Sequence, residues 1–558
     1  MRIVKTLSIT VLIILMMVAI GVCTAASADS EFTPSLAVSD PEYGEETKIL
    51  SWGSYQEKQY LFLPSCFRAS RLKLDFLGKS GEINGTAYET GDTVSLPLNQ
   101  ELPVKVGNKS FSLIVMQSAN IPAMFIQTES GSKDAIYKSK TVKEPGMLTM
   151  LDVDGNAEYD GSLQYIRTRG NSTFNYVKKP FQIKLESSAS LAGMKKDKTY
   201  ILLANYLDRS CIRNSIALDL ARYSGAYAFT PAFQSVDLYL NHEYMGCYLL
   251  TEKCEIDPDR LNLINLEEAT EKLNDQPLSY YPTSGNSQYT TSAKRGSVIP
   301  NDPEDITGGY IIVAVNTNYF KKEVCAFSTK RGQSFIMQEP KYASLAQVGY
   351  ISGVMQEIED ALFAKDGNHP VTGRHYTEML DITSFVNRYL QAELMNDFDG
   401  QRPYFYKNRD AIDPKVYCGP VWDQDNTLGA SSRRTQASIL YLSAGDEYHD
   451  YYWFTRAYQQ PDFRQELKET YQKVYQPALA ILLGERRDEK GILRSIDEYG
   501  QEVRASVLMN DVRWSYGRWS QEQKFNSAQG RNIDECIIYL KRYLSTRRVS
   551  LDKAFGSQ

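Results

Sequence analysis

Several signatures of common enzymes are missing from this sequence. It has no Gly-x-Ser-x-Gly elbow, no Walker A loop, no Gly-x-Gly-x-x-Gly, and neither His-Arg-Asp nor Asp-Phe-Gly. Histidine is scarce: His242, His369, His375 and His449 are scattered without metal-ligand spacing, which argues against a zinc hydrolase or a catalytic triad. The cysteines form no Cys-x-x-Cys pair, so neither a zinc knuckle nor a disulfide-dense scaffold is indicated. One or two disulfides stay open. A basic excess is also lacking. The net charge of −6 gives no footprint for nucleic acid, which needs a clustered cationic face.

What is present begins with a leader. Arg2 and Lys5 precede an apolar run from Leu7 to Val22, and Ala26-Ser27-Ala28 has the small residues of a cleavage site. Residues 1–28 read as a signal peptide, and the mature chain is expected to start at Asp29 with a net charge of −8. A lipid anchor at Cys23 is the weaker alternative, because Val22 stands where a small residue is needed. No second apolar run reaches the roughly 20 residues that cross a bilayer. The expected location is extracellular or at the cell surface, with no transmembrane segment after cleavage.

The remaining length suits two to four domains. Short β-like runs at Tyr60–Leu63, Arg71–Phe76, Phe111–Met116 and Ala123–Gln127, broken by Gly and Asn turns, predict a small β-sandwich over 29–127. Residues 128–147 read as a linker. The chain then mixes strands with a helix over Asp208–Tyr223, runs through a polar insertion or loop at 268–308, and turns mostly helical beyond Leu345. Strand-rich followed by helix-rich is the outline of an α+β, two-lobed domain over 148–555. Asp152, Asp154 and Asn156 hint at a calcium loop, but Leu163 occupies its twelfth position and a turn is the better reading.

Two constellations carry chemistry. In the first, Asp381 caps a helix with the apolar stripe Phe385, Tyr389, Leu390 and Leu394, which frays at Asn396 and is followed by Asp399. The strand Tyr404–Tyr406, a polar turn, and the strand Val416–Trp422 lead to Asp423-Gln424-Asp425. That order brings acidic loops to one end of a hairpin, as in protein kinases. Asp423 and Asp425 are the candidate ligands for a divalent cation, Mg²⁺ or Mn²⁺, with Ca²⁺ a third choice. The bland alternative is a pair of loop-capping aspartates. In the second constellation, Gly170, Asn171 and Ser172 make a tight turn after Arg169, and Lys178-Lys179-Pro180-Phe181-Gln182-Ile183-Lys184 follows. Exposed N–H groups among cations suit a phosphate, while a solvated basic hairpin is the bland alternative.

At these residues the chain resembles the CotH kinase family, named for a spore coat protein. The likeness rests on Arg169–Thr173 with Lys178–Lys184, Ala204–Asp208 with Ile212-Arg213-Asn214, Tyr244–Glu252, Gly308–Ile312 and Pro420–Asp425. It implies a bilobal atypical protein kinase fold and ATP-dependent phosphorylation of protein Ser or Thr. By this resemblance Asp399 orients the acceptor hydroxyl and Asp423 binds the metal with Asp425. The turn Arg169, Gly170, Asn171 and Ser172 covers the phosphates, Lys179 or Lys184 neutralises them, and Glu252 lies beside the adenine. Gln424 stands where the family usually has an aromatic residue, and a short segment from Asp399 to Tyr404 makes Asp397 a second candidate for the Asp399 role. A surface adhesion protein on a kinase-like scaffold, with the β-rich domain binding a glycan or protein, is the competing reading.

Overall fold

The computed structural model describes residues 34–53, 58–78, 80–397, 402–432, 434–445, 453–514 and 526–556. Two compact units divide the chain: residues up to Leu63 with Arg68–Met116, and Pro64–Phe67 with Gln117 onward. The leader with Cys23, and Asp399, lie outside the described residues.

The first unit is built of two sheets, one of four strands and one of six. Its strand Glu101–Val106 alternates strictly, with Leu102, Val104 and Val106 buried and Glu101, Pro103 and Lys105 exposed. This is the two-residue period of a strand with one face on a core.

The second unit begins earlier than the sequence indicates. Ala123–Thr128 (β1), expected at the end of the β-rich domain, is the first strand of a closed barrel. The others are Glu144–Leu151 (β2), Ala157–Thr168 (β3), Phe181–Ala189 (β4), Asp197–Leu203 (β5), Phe233–Leu240 (β6) and Glu243–Glu252 (β7). Strand β1 pairs antiparallel with β2 and closes the ring by parallel pairing with β6, Ala123 opposite Asp237. The expected boundary at 127 and linker at 128–147 are therefore corrected. The ring is closed by a strand the pattern assigned to the preceding domain, and β2 occupies the end of the supposed linker. The barrel interior is filled from alternate positions, including Met124, Ile126, Leu148, Met150, Phe181, Ile183, Leu202 and Leu238.

Helix Arg213–Ser224 (α1) connects β5 to β6 and ends at Gly225, whose φ of 65° few other residues would adopt. A second sheet follows, of Thr283–Gly285 (β8), Lys294–Ser297 (β9), Tyr310–Val315 (β10), Ala326–Ser328 (β11), Ser334–Glu339 (β12), Tyr404–Lys407 (β13) and Val416–Cys418 (β14). Its order is β8-β9-β11-β12-β10-β13-β14. The 268–308 segment, read as an insertion or loop, thus supplies two strands. Buried Arg295 anchors it by donating to the Val324 carbonyl at 3.1 Å.

Helices dominate after Leu345, as the sequence predicts. Ile382–Met395 (α2) is capped by Asp381, which accepts the Ser384 N–H at 2.7 Å, and ends at Asn396 with φ 48°. Its Phe385, Tyr389, Leu390 and Leu394 join Phe405, Phe454 and Phe463 in the largest apolar core. Ile496–Trp514 (α3) and Ile533–Phe555 (α4) contribute to the same core through Tyr499, Val503, Leu540 and Leu544. All seven described cysteines are buried free thiols, and no described helix is long and apolar enough to cross a membrane. The chain is α+β.

Candidate phosphate and metal site

The turn after β3 is closed at its base by the Arg169 N–H donating to the Pro180 carbonyl at 3.0 Å. Gly170 takes φ 94°, and a Cβ there would sit 2.0 Å from Thr173 Oγ1, so glycine alone fits. Asn171 and Ser172 are exposed at the tip. The Lys179 ammonium caps the Phe174 carbonyl and lies 4.3 Å from the Phe174 ring centroid. Lys178 is fully buried, donating to the Cys247 carbonyl at 2.6 Å. Burial pulls both amines below the usual lysine range.

The acidic loop after β14 is held on several sides. Asp423 is exposed and adopts a left-handed φ of 59°; Gln424 and Asp425 are buried. Asn214, in the first turn of α1, accepts the Gln424 N–H at 2.7 Å. Arg213 donates from Nε to the Thr427 carbonyl at 2.9 Å, and its guanidinium is paired with buried Asp208. On the other side, the Leu428 N–H reaches the Met395 carbonyl at 2.6 Å, tying the loop to the end of α2. Asp208, Arg213 and Asn214 entered the sequence reading within an expected helix, which the structure starts at Arg213, and within the family blocks, with no role in the site. Their work is to fix the backbone of the acidic loop against α1.

One cavity of about 570 Å³ brings the two constellations together. The whole turn Arg169–Thr173 lines it, as do Trp422, Asp423, Asp425 and Asn426. The Arg169 guanidinium lies 5.6 Å from the Trp422 ring centroid. Desolvation draws its pKa down, opposed mainly by the charge of Asp423. A further wall comes from β10, β12 and the segment after β10, through Val313, Ile336, Tyr319 and Lys322, with Arg402 at the start of β13. Lys322 and Arg402 lie 5.6 and 5.1 Å from the Tyr319 ring centroid. This wall left no local signal in the sequence, because it joins β10 and β12 to Arg402, and β10 pairs with the distant β13, Tyr310 opposite Lys407.

Three candidates sit elsewhere. Lys179, Lys184 and Glu252 are not among the described lining residues. Lys184 is a strand residue paired opposite Tyr165 and Thr199. Glu252 is buried and accepts the Ala232 N–H at 2.8 Å, a structural contact between β7 and the start of β6. Asp397 is buried too: its Oδ2 accepts from Arg388 at 3.1 Å and from Gln424 at 2.7 Å. That engagement ties it to the scaffold.

A divalent cation fits what remains. Among the described residues no three His, Cys, Asp or Glu side chains cluster as a self-sufficient metal cage. Mg²⁺ does not ask for one, since it is held by one or two carboxylates and completes its shell with water and phosphate oxygens. Asp423 and Asp425 on one cavity wall meet that description.

The chain matches the CotH kinase protein family model over residues 166–551, more than two thirds of its length, and it belongs to that family. No curated protein matches the chain.

Proposed function

We propose that this protein is an exported kinase that transfers the γ-phosphoryl group of ATP to Ser or Thr hydroxyls of surface or extracellular proteins. The observation that carries the proposal is the single cavity shared by the Arg169–Thr173 turn and by Asp423 and Asp425. A cationic turn and two carboxylates lining one cavity suit a metal-bound polyphosphate. Phosphoryl transfer is mostly positioning and charge stabilisation, so such a set suffices.

In this reading the barrel and the helical region form the two lobes of a kinase-like domain. Asp423 and Asp425 hold Mg²⁺ or Mn²⁺, which when bound supplies positive charge against the phosphate oxygens. The Gly170–Ser172 backbone and the Arg169 guanidinium bind and orient the phosphates. Asp399 orients the acceptor hydroxyl and takes its proton. The leader at 1–28 supports export.

Thermal denaturation with ATP plus Mg²⁺ or Mn²⁺ tests the proposal. The wild-type midpoint should rise with nucleotide and metal together, and Asp423→Ala should remove that rise. No shift in the wild type, or an equal shift in the variant, would end the kinase reading. Phosphoserine mapping on co-purified surface proteins then identifies acceptors.

A further inference from the structure

We infer that Gln424 is a positioning residue for the metal loop: its side-chain amide, locked onto the Asp397 carboxylate, sets where Asp423 and Asp425 stand relative to the end of α2. The inference rests on the metal-dependent reading of the cavity.

Gln424 lies between the two candidate ligands and is 1% exposed. Its Nε2 donates to Asp397 Oδ2 at 2.7 Å and to the Trp422 carbonyl at 3.1 Å. Both partners are acceptors, so the amide has one workable orientation; flipped, its oxygen would face a carboxylate and a carbonyl. In the orientation seen, Oε1 is buried with no hydrogen-bond partner. An apolar side chain would have avoided that cost. A residue that leaves a buried carbonyl unmatched is held there by its donors.

The partner is equally committed. Asp397 Oδ2 also accepts from Arg388, nine residues earlier on α2, and the Asp397 carbonyl accepts from Arg434 at 3.2 Å. The Asp397 N–H returns to the Ala392 carbonyl at 2.9 Å, within the helix end. Burial is the largest influence on Arg388 and works against its charge, but Asp397, with Tyr227 and Cys418, raises the net pKa. A chain of contacts therefore runs from α2 through Arg388 and Asp397 to the Gln424 amide, and Asp423 and Asp425 flank that amide in sequence. A phenylalanine at 424 could fill the volume but has no donor for Asp397. Outer partners of this kind typically change metal affinity by about 10–100-fold when removed.

The test exchanges the two side chains of the pair. Mn²⁺ is titrated, by the electron paramagnetic resonance signal of free Mn²⁺, into the full mature chain with saturating ADP at pH 7.5. Gln424→Glu sets two carboxylates against each other, and Asp397→Asn removes the carboxylate that Gln424 and Arg388 share; each should weaken Mn²⁺ binding about tenfold or more. Gln424→Glu with Asp397→Asn restores one amide and one carboxylate in the reverse sense but leaves the Trp422 carbonyl without its donor. It should recover part of the loss and bind more tightly than either single variant. Gln424→Leu, which carries no charge, should lose affinity while unfolding at a temperature close to wild type. Additive losses in the double variant, or wild-type affinity in Gln424→Leu, overturn the inference and leave the metal site standing. Failure of the wild-type chain to bind Mn²⁺ brings down the metal reading itself, and the inference with it.

Discussion

Arg213 pairs with Asp208 at 2.5 Å with neither side chain reaching solvent, and the same guanidinium donates to the Thr427 carbonyl. The pair thus links the start of α1 to the loop that follows Asp425. Replacing Arg213 by Met strands a buried carboxylate and frees the loop. The expected loss is about 3–5 kcal/mol of stability, read by urea unfolding, and nucleotide-dependent stabilisation should vanish with it.

Arg169 and Lys179 offer a direct contrast. Arg169 lines the cavity beside Asp423, whereas the Lys179 ammonium is spent on the Phe174 carbonyl. Arg169→Met should weaken binding of Mg²⁺·ATP about tenfold or more, as expected for a lost charge-assisted contact. Lys179→Met should act mainly by loosening the turn, with a smaller change in affinity. Isothermal titration of the two variants decides between an arginine and a lysine as phosphate anchor.

Gly170→Ala tests the turn itself. With φ at 94° and Thr173 Oγ1 in the way of a Cβ, the substitution should cost more than about 1 kcal/mol. Titration should show a matching loss of nucleotide affinity. Gly193, also at positive φ but with open space around it, provides the control: Gly193→Ala should leave nucleotide binding unchanged.

A pH dependence follows from Asp237. Burial pushes its carboxyl up to about 6, although Ser118, Tyr244 and Ser506 donate hydrogen bonds to it. The folded pKa lies above the unfolded value of about 3.9, so the folded chain holds this proton more tightly. Stability from this group is therefore lost as pH rises from about 4 to about 6 and is flat on either side. Asp511, also raised to about 6, adds a second fall in the same window. The Asp237→Asn chain should lack only the first, so the wild-type minus variant difference, measured by urea unfolding, should decline across that interval.

Intact-mass measurement of protein recovered from the culture medium checks export. The expected mature chain begins at Asp29, and a lipid-modified Cys23 would contradict that expectation.

The parts of this architecture that announce themselves in sequence are those with local rules. The cap at Asp381 and the left-handed stop at Asn396 bound a helix within one residue of expectation. The hairpin leading to Asp423 is legible too, because apolar runs flank a polar turn, although its second strand stops at Cys418 and does not run on to Trp422. The turn at Gly170 is legible because Gly-Asn-Ser marks a tight turn, although a solvated basic hairpin would carry the same pattern. What stayed hidden depends on pairing across distance. Nothing near residue 123 says that its partner is residue 237, since parallel pairing leaves no turn signal between them. The lysines were ambiguous for the same reason: alternation gives the face of a strand, while the cavity lies where Pro180 and Leu203 approach Trp422. Arg295 shows how a polar, Ser- and Tyr-rich stretch becomes fixed, by an inward guanidinium that satisfies distant carbonyls.

The ring closed by β1 also bears on how the protein is handled at the bench. The family match starts at residue 166, inside β3, and the composition break falls near 148; a recombinant fragment cut at either point would discard β1. Either cut would bare the ladder groups of β6, whose apolar inward face would then invite pairing between molecules. A fragment intended for crystallisation or assay should therefore start at or before Gln117, and shorter ones are expected to come out as aggregates rather than as a smaller working domain.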